Sequence, residues 1–232
     1  MSSLPDTQNE IDSRQTAIER VGIRELRYPL NWSDADGMSQ PTIATCALSV
    51  HLPAEQRGTH MSRFVQALHD FLTSGPMCAD RIGDLGQYLL GVLKSRAATV
   101  ELVFPFFISK KAPSSGATGL LDTEVSVRID AQTGGANTTE WQLRVPVATL
   151  CPCSKAISER GAHNQRGMVT LRWRDSSPIP LKEIIALMEQ SASCALFSVL
   201  KRDDEKMVTE QAYDNPVFVE DVVHHVFNKD RV

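Results

Sequence analysis

Residues 120–150 read LLDTEVSVRIDAQTGGANTTEWQLRVPVATL. Leu121, Thr123, Val125, Val127, Ile129 and Ala131 fall on every second position, with Asp122, Glu124, Ser126, Arg128 and Asp130 between them. A period of two puts one set of side chains against a core and the other toward water, which is a strand covered on one face. The same alternation returns at Trp141, Leu143, Val145 and Val147. The glycine-containing turn TGGAN between the two runs makes them a hairpin, so an antiparallel sheet lies at the centre of the chain.

Working outward, residues 41–53 (PTIATCALSVHLP) and 97–109 (AATVELVFPFFIS) are rich in β-branched and aromatic residues and read as further strands. Between them, Met61, Phe64, Val65, Leu68 and Leu72 recur at helical spacing, with Thr59 as the expected cap. Residues 80–96 read as a second helix interrupted by glycines. Downstream, residues 167–175 form a strand and residues 181–202 a long amphipathic helix. Residues 215–229 form a last helix with Asn215 as cap and Pro216 in its first turn. The order is strand, two helices, two strands, then strand, strand, two helices. The second half repeats the first without its closing hairpin. The expected class is α+β, antiparallel sheets with helix pairs on one face.

The chain has 232 residues, 42% of them hydrophobic and 22% charged, with a formal net charge of -4. No global basic field draws it to nucleic acid, and no apolar run reaches the ~20 residues of a membrane span. The start, MSSLPDTQNEIDSRQTAIERVG, is polar and lacks the apolar stretch of a signal peptide, so residues 1–25 are expected to be a mobile arm and the protein cytoplasmic. Residues 26–135 and 136–232 are the expected first and second modules. Five cysteines without an export signal imply free thiols. Cys46 and Cys194 sit in apolar runs and read as small buried hydrophobes.

The chemistry concentrates in LCPCSKAISERGAHNQRG, residues 150–167. Pro152 between Cys151 and Cys153 is expected to hold the chain extended, so that both sulfurs share one face. Thiolate, imidazole and carboxylate suit Zn²⁺ or a neighbouring divalent ion, and an open coordination position would make the site catalytic. A nucleophilic cysteine, activated by Lys155 and His163, is the other reading of the same residues.

This segment resembles the signature of GTP cyclohydrolase I, form B. The resemblance continues in VGIRELRYPL (21–30), LPAEQRGTHMSRF (52–64), FPFFISKKAPSSG (104–116) and ASCALFSVLKRDDEKMVTEQAYDNPVFVED (192–221). It implies tandem tunnelling-fold modules in a homo-oligomer, a tetramer, with active sites at subunit interfaces. The reaction it implies opens the guanine imidazole of GTP, loses C8 as formate and recyclises the ribose carbons into 7,8-dihydroneopterin triphosphate. By matching positions, Cys151, His163 and Glu205 would hold the divalent metal (Zn, Mn or Fe), and Cys153 would sit beside it. Glu220 would receive the guanine N–H edge. Arg57, His60, Ser62 and Arg63, with Lys110 and Lys111, would receive the triphosphate. The resemblance also implies a further hairpin with an ESxHxH-like segment, whereas this sequence closes on VFNKDRV, so the last hairpin of the second module is expected to be missing. Three alternatives stay open: a truncated, non-catalytic paralogue or subunit that binds metal or purine, a cysteine-nucleophile nitrile reductase of the same fold, and a variant giving a cyclic phosphate product.

Overall fold

The computed structural model describes residue 8 and residues 10–35, 37–174 and 180–229. Its α+β architecture is a seven-stranded antiparallel sheet with seven helices among the described residues. The strands are β1 (Ile18–Ser33), β2 (Ser39–Leu52), β3 (Ala97–Lys111), β4 (Thr118–Gln132), β5 (Thr138–Leu150), β6 (Asn164–Arg174) and the two-residue β7 (Cys194–Ala195). The helices are α1 (Met61–Thr73), α2 (Ala79–Ile82), α3 (Asp84–Leu93), α4 (Pro152–Ile157), α5 (Leu181–Gln190), α6 (Arg202–Asp214) and α7 (Val219–Lys229). Strand order follows chain order from β1 to β6, and β7 pairs with β5.

The chain forms two compact units that interleave along the sequence. The first takes in the chain up to Phe104, Ser126–Trp141 and the end of β6 from Arg172. Its core joins Leu48, Val50, Val100, Leu102, Val127 and Ile129 from the sheet to Phe64, Leu68, Leu85 and Leu89 from α1 and α3. The second takes in Pro105–Val125, Gln142–Leu171 and the chain from α5 onward. Its core holds Phe106, Val125, Leu143, Val145, Ile185 and Met188.

β1 is a strand the composition concealed. Its burial pattern is mostly exposed, and its first half, where the pairing slips twice, keeps no steady period. It takes in residues 18–25, which the polar composition assigned to the arm; residues 1–7 and 9 of that arm lie outside the described residues. Its pairing with β2 slips between Ile18 and Val21 and again between Ile23 and Leu26. Glu25 takes φ +59° at the second slip. At Gly22 a Cβ would lie 1.9 Å from the Leu48 carbonyl oxygen, so only glycine fits that approach.

Four helix boundaries differ from expectation, each for a local reason. The N-cap of α1 is His60, one residue after Thr59, and makes no side-chain cap bond. The stretch expected as one helix over 80–96 divides at Gly83 and ends where Lys94 turns left-handed at φ +52°. The helix expected over 181–202 stops at Gln190. There the Ser191 hydroxyl turns back to the Leu187 carbonyl (2.8 Å), and the apolar residues that follow pair with β5 instead, Cys194 opposite Ala148 and Ala195 opposite Val147. Asn215 closes α6 rather than opening α7, its N–H donating to the Gln211 carbonyl (3.0 Å) and its side chain to the Ala192 carbonyl (3.0 Å). The start of α7 is capped by Asp221, whose carboxylate accepts the Phe218 N–H at 2.8 Å.

Candidate active site

In the second unit, β5 delivers the chain to Cys151 and β6 takes it away after His163. Pro152 does not hold this stretch extended, contrary to expectation. It occupies the first turn of α4, where its missing N–H costs nothing. Cys151 is therefore an N-cap and Cys153 a helical, exposed residue, so the two sulfurs do not alternate along a strand.

The loop is closed on itself by backbone and serine hydrogen bonds. The Cys151 N–H donates to the His163 carbonyl (3.1 Å), which sets the two residues side by side. The Ser154 hydroxyl donates to the Cys151 carbonyl (3.0 Å), and the same oxygen accepts the His163 N–H (3.1 Å). Ser154 thus holds both ends of the loop, a role the sequence reading missed. Its only signal is a small polar residue three positions after the cap. The Ser154 N–H, joined by the Ser154 hydroxyl and by Cys153, holds the Cys151 thiol below its ordinary pKa against the opposing effect of burial. The thiols of Cys46 and Cys194 are pushed the other way by burial, that of Cys46 to about 12, in keeping with their expected role as inert core residues.

Helix α6, which the sequence reading did not assign, packs beneath this loop. Leu150, Cys194 and Ala212 form one buried cluster, with Ala148, Ala162 and Val208 against it. Leu150 precedes Cys151 and Ala162 precedes His163. Glu205, Val208 and Ala212 stand at i, i+3 and i+7 on α6, so Glu205 shares the helical face that packs on the loop. The Lys155 ammonium also reaches the Tyr213 carbonyl near the other end of α6 and lies 4.1 Å from the Tyr213 ring centroid.

Asp204, the neighbour of Glu205, is fully buried. Burial alone would raise its pKa. The Ser115 hydroxyl and the N–H groups of Ser115, Lys201 and Ser114 outweigh that and hold the carboxyl far below the usual range.

The remaining candidates are dispersed. Glu220 is exposed in the first turn of α7. Lys111 is exposed at the end of β3. Lys110 points inward instead: it pairs with Glu189, donates to the Leu196 carbonyl (2.6 Å) and lies 4.5 Å from the Phe197 ring centroid. Arg57, His60, Ser62 and Arg63 belong to the first unit, at and before the first turn of α1, and Arg57 pairs with Glu10.

Among the described residues, no group of three or more His, Cys, Asp and Glu side chains gathers at one metal-sized position. The donor chemistry of the loop still fits a divalent ion of borderline softness. A thiol held below its ordinary pKa and an imidazole belong to residues joined by one backbone hydrogen bond. Among the described residues, no helix is long and apolar enough to cross a membrane.

Residues 4–230 match the family described as type I GTP cyclohydrolase folE2. GTP cyclohydrolase FolE2 of Burkholderia pseudomallei (strain 1710b) is 46% identical over 224 residues, which cover 97% of this chain and 83% of that protein. GTP cyclohydrolase FolE2 of Burkholderia thailandensis is 46% identical over 223 residues, covering 96% of this chain and 82% of its own length. With nearly its whole length matched to these proteins and to the family pattern, the chain belongs to the type I GTP cyclohydrolase FolE2 family.

Proposed function

We propose that this chain hydrolyses GTP to 7,8-dihydroneopterin triphosphate and formate, the first step of folate biosynthesis, at a divalent-metal site on the loop between β5 and β6. The observation that carries the reading is the pairing of Cys151 with His163 through one backbone hydrogen bond, and the packing of α6 against the residues that flank them supports it. The overall change adds one water to GTP and releases C8 as formate. A divalent ion held there, Zn²⁺, Mn²⁺ or Fe²⁺, would lower the pKa of a bound water toward neutrality.

Cys151 would hold the ion through its sulfur, and the Ser154 N–H at the start of α4 favours the ionised form of that thiol. His163 and Glu205 would join it as ligands. Cys153, exposed two residues after Cys151, would accept or return a proton beside the reacting carbon. Glu220 accepts hydrogen bonds from the N1 and N2 groups of guanine, an edge that adenine lacks. Arg57, His60, Ser62, Arg63 and Lys111 hold the triphosphate. Two tunnelling-fold modules and assembly into a tetramer with sites between subunits complete the reading. Support for assembly comes from α7, where Val219, Val223 and Phe227 form an exposed apolar stripe beside Glu220.

The test is formate release from GTP by the purified chain with Mn²⁺ or Zn²⁺ added, beside its Cys151→Ala variant. Turnover in the parent and its loss in the variant are expected. Equal formate release from both would refute the site.

A further inference from the structure

The motif SKKAPSSG (109–116) carries two serines that neither the metal nor the triphosphate reading uses. They lie at the tip of the β3–β4 hairpin. That tip is fastened to the segment leading into α6 at three places. At its base, Lys110 pairs with Glu189 and donates to the Leu196 carbonyl at 2.6 Å. On the β4 side, Gly119 packs so closely that a Cβ there would lie 2.3 Å from the Ser198 hydroxyl oxygen and 2.8 Å from a Val199 methyl. At the tip, the Asp204 carboxylate accepts the N–H groups of Ser114 and Ser115 (both 2.8 Å) and the Ser115 hydroxyl (2.6 Å). Its second oxygen also accepts the Lys201 N–H (2.8 Å), which caps the first turn of α6.

We propose that Asp204 is a positioning residue for the metal centre: by locking the first turn of α6 to the β3–β4 hairpin, it sets the height and rotation of Glu205 beneath the Cys151–His163 loop. The inference rests on the reading of Glu205 as a metal ligand. A buried carboxylate holding four donors cannot turn or slide without leaving several of them unpaired. The residue that follows it in the same helical turn inherits that fixity. Glu205 itself is exposed. Lys111 sits at the other end of the same hairpin tip, so one carboxylate fixes a proposed phosphate ligand and a proposed metal ligand to a common frame.

The test uses the full chain and three variants: Asp204→Asn, Ser115→Ala and Glu205→Ala. Affinity for Mn²⁺ and Zn²⁺ is measured by competition with a chromogenic chelator, and kcat and KM for GTP are measured at saturating metal. Asp204→Asn keeps the size of the side chain but turns an amide toward four donors. Outer-sphere partners of metal ligands are worth about 10–100-fold in affinity, and a loss in that range is expected. Ser115→Ala removes a single bond and is expected to lose less in the same direction; it gives the answer should Asp204→Asn fail to fold. The core variant Leu68→Ala in the first unit, matched in lowered melting temperature, is expected to bind metal as the parent does. If Glu205→Ala weakens the metal and neither Asp204→Asn nor Ser115→Ala does, the positioning role is overturned while the site stands. If Glu205→Ala leaves metal affinity unchanged, the reading of the site fails and this inference falls with it.

Discussion

Replacing Lys110 by Met should cost this chain about 3–5 kcal/mol of stability, the range for leaving one partner of a buried ion pair behind. The structure places the pair in that class and not among surface bridges, which are worth about 0–1 kcal/mol. Both side chains are 11% exposed. The lost ammonium also leaves the Leu196 carbonyl without that donor and removes the contact with the Phe197 ring. Burial already raises the Glu189 pKa, and Lys110 opposes the rise. Without Lys110 the Glu189 pKa moves further up. Between the ordinary glutamate value of about 4.3 and that raised value, the folded chain holds a proton that the unfolded chain has shed. Folding is then favoured by lowering the pH, so the deficit of Lys110→Met shrinks between pH 7 and pH 5. The double variant Lys110→Met/Glu189→Leu removes both charges and should recover most of the loss. Urea unfolding followed by far-ultraviolet circular dichroism at pH 7 and pH 5 measures all of these. A single variant within about 1 kcal/mol of the parent at pH 7, or a cost that does not change with pH, would refute the reasoning.

Gly119→Ala should destabilise by about 1–3 kcal/mol through overpacking against Ser198 and Val199, and Gly119→Ala/Ser198→Ala should return part of that loss in the same unfolding assay. Ser154→Ala removes the oxygen that joins Cys151 to His163, and chelator competition should show metal affinity about tenfold weaker or worse; unchanged affinity would mean the loop holds its shape without it. Glu220→Gln should lower kcat/KM for GTP roughly ten- to a hundredfold, the ~1.5–3 kcal/mol of a charge-assisted hydrogen bond, with metal affinity intact. Equal kcat/KM in the two proteins would remove Glu220 from guanine recognition.

Strands β2 to β6 were legible because each keeps a period of two or a dense β-branched run against its core. β1 was not, since most of its residues face outward and two slips break its phase. α6 was missed for a related reason: Asp204 and Ala212 are its only buried residues, so no apolar stripe marks it. The apolar run SASCALFSVL looked like the continuation of α5, but apolar content does not distinguish a buried helix from a strand and an irregular buried segment. That Cys151 and His163 share one loop was legible from their spacing. The partnership of Ser114 and Ser115 with Asp204 spans about ninety residues, and no local spacing reveals it. Lys110 read as a triphosphate ligand, since its partner Glu189 lies 79 residues away and no local spacing reveals the pair.

All three tryptophans of the chain sit in the first unit. Trp141 and Trp173 stack with centroids 5.9 Å apart and planes 8° from parallel, and Trp32 meets Trp141 edge-on at 6.0 Å. Indole emission therefore reports on the unit that lacks Cys151, His163 and α6. A fluorescence melt would follow that aromatic stack and stay silent while the metal loop frayed. Tyr213, beside Lys155 at the end of α6, is the intrinsic chromophore on the loop's side. A tryptophan placed at that position would give the neighbourhood of Cys151 an optical voice of its own.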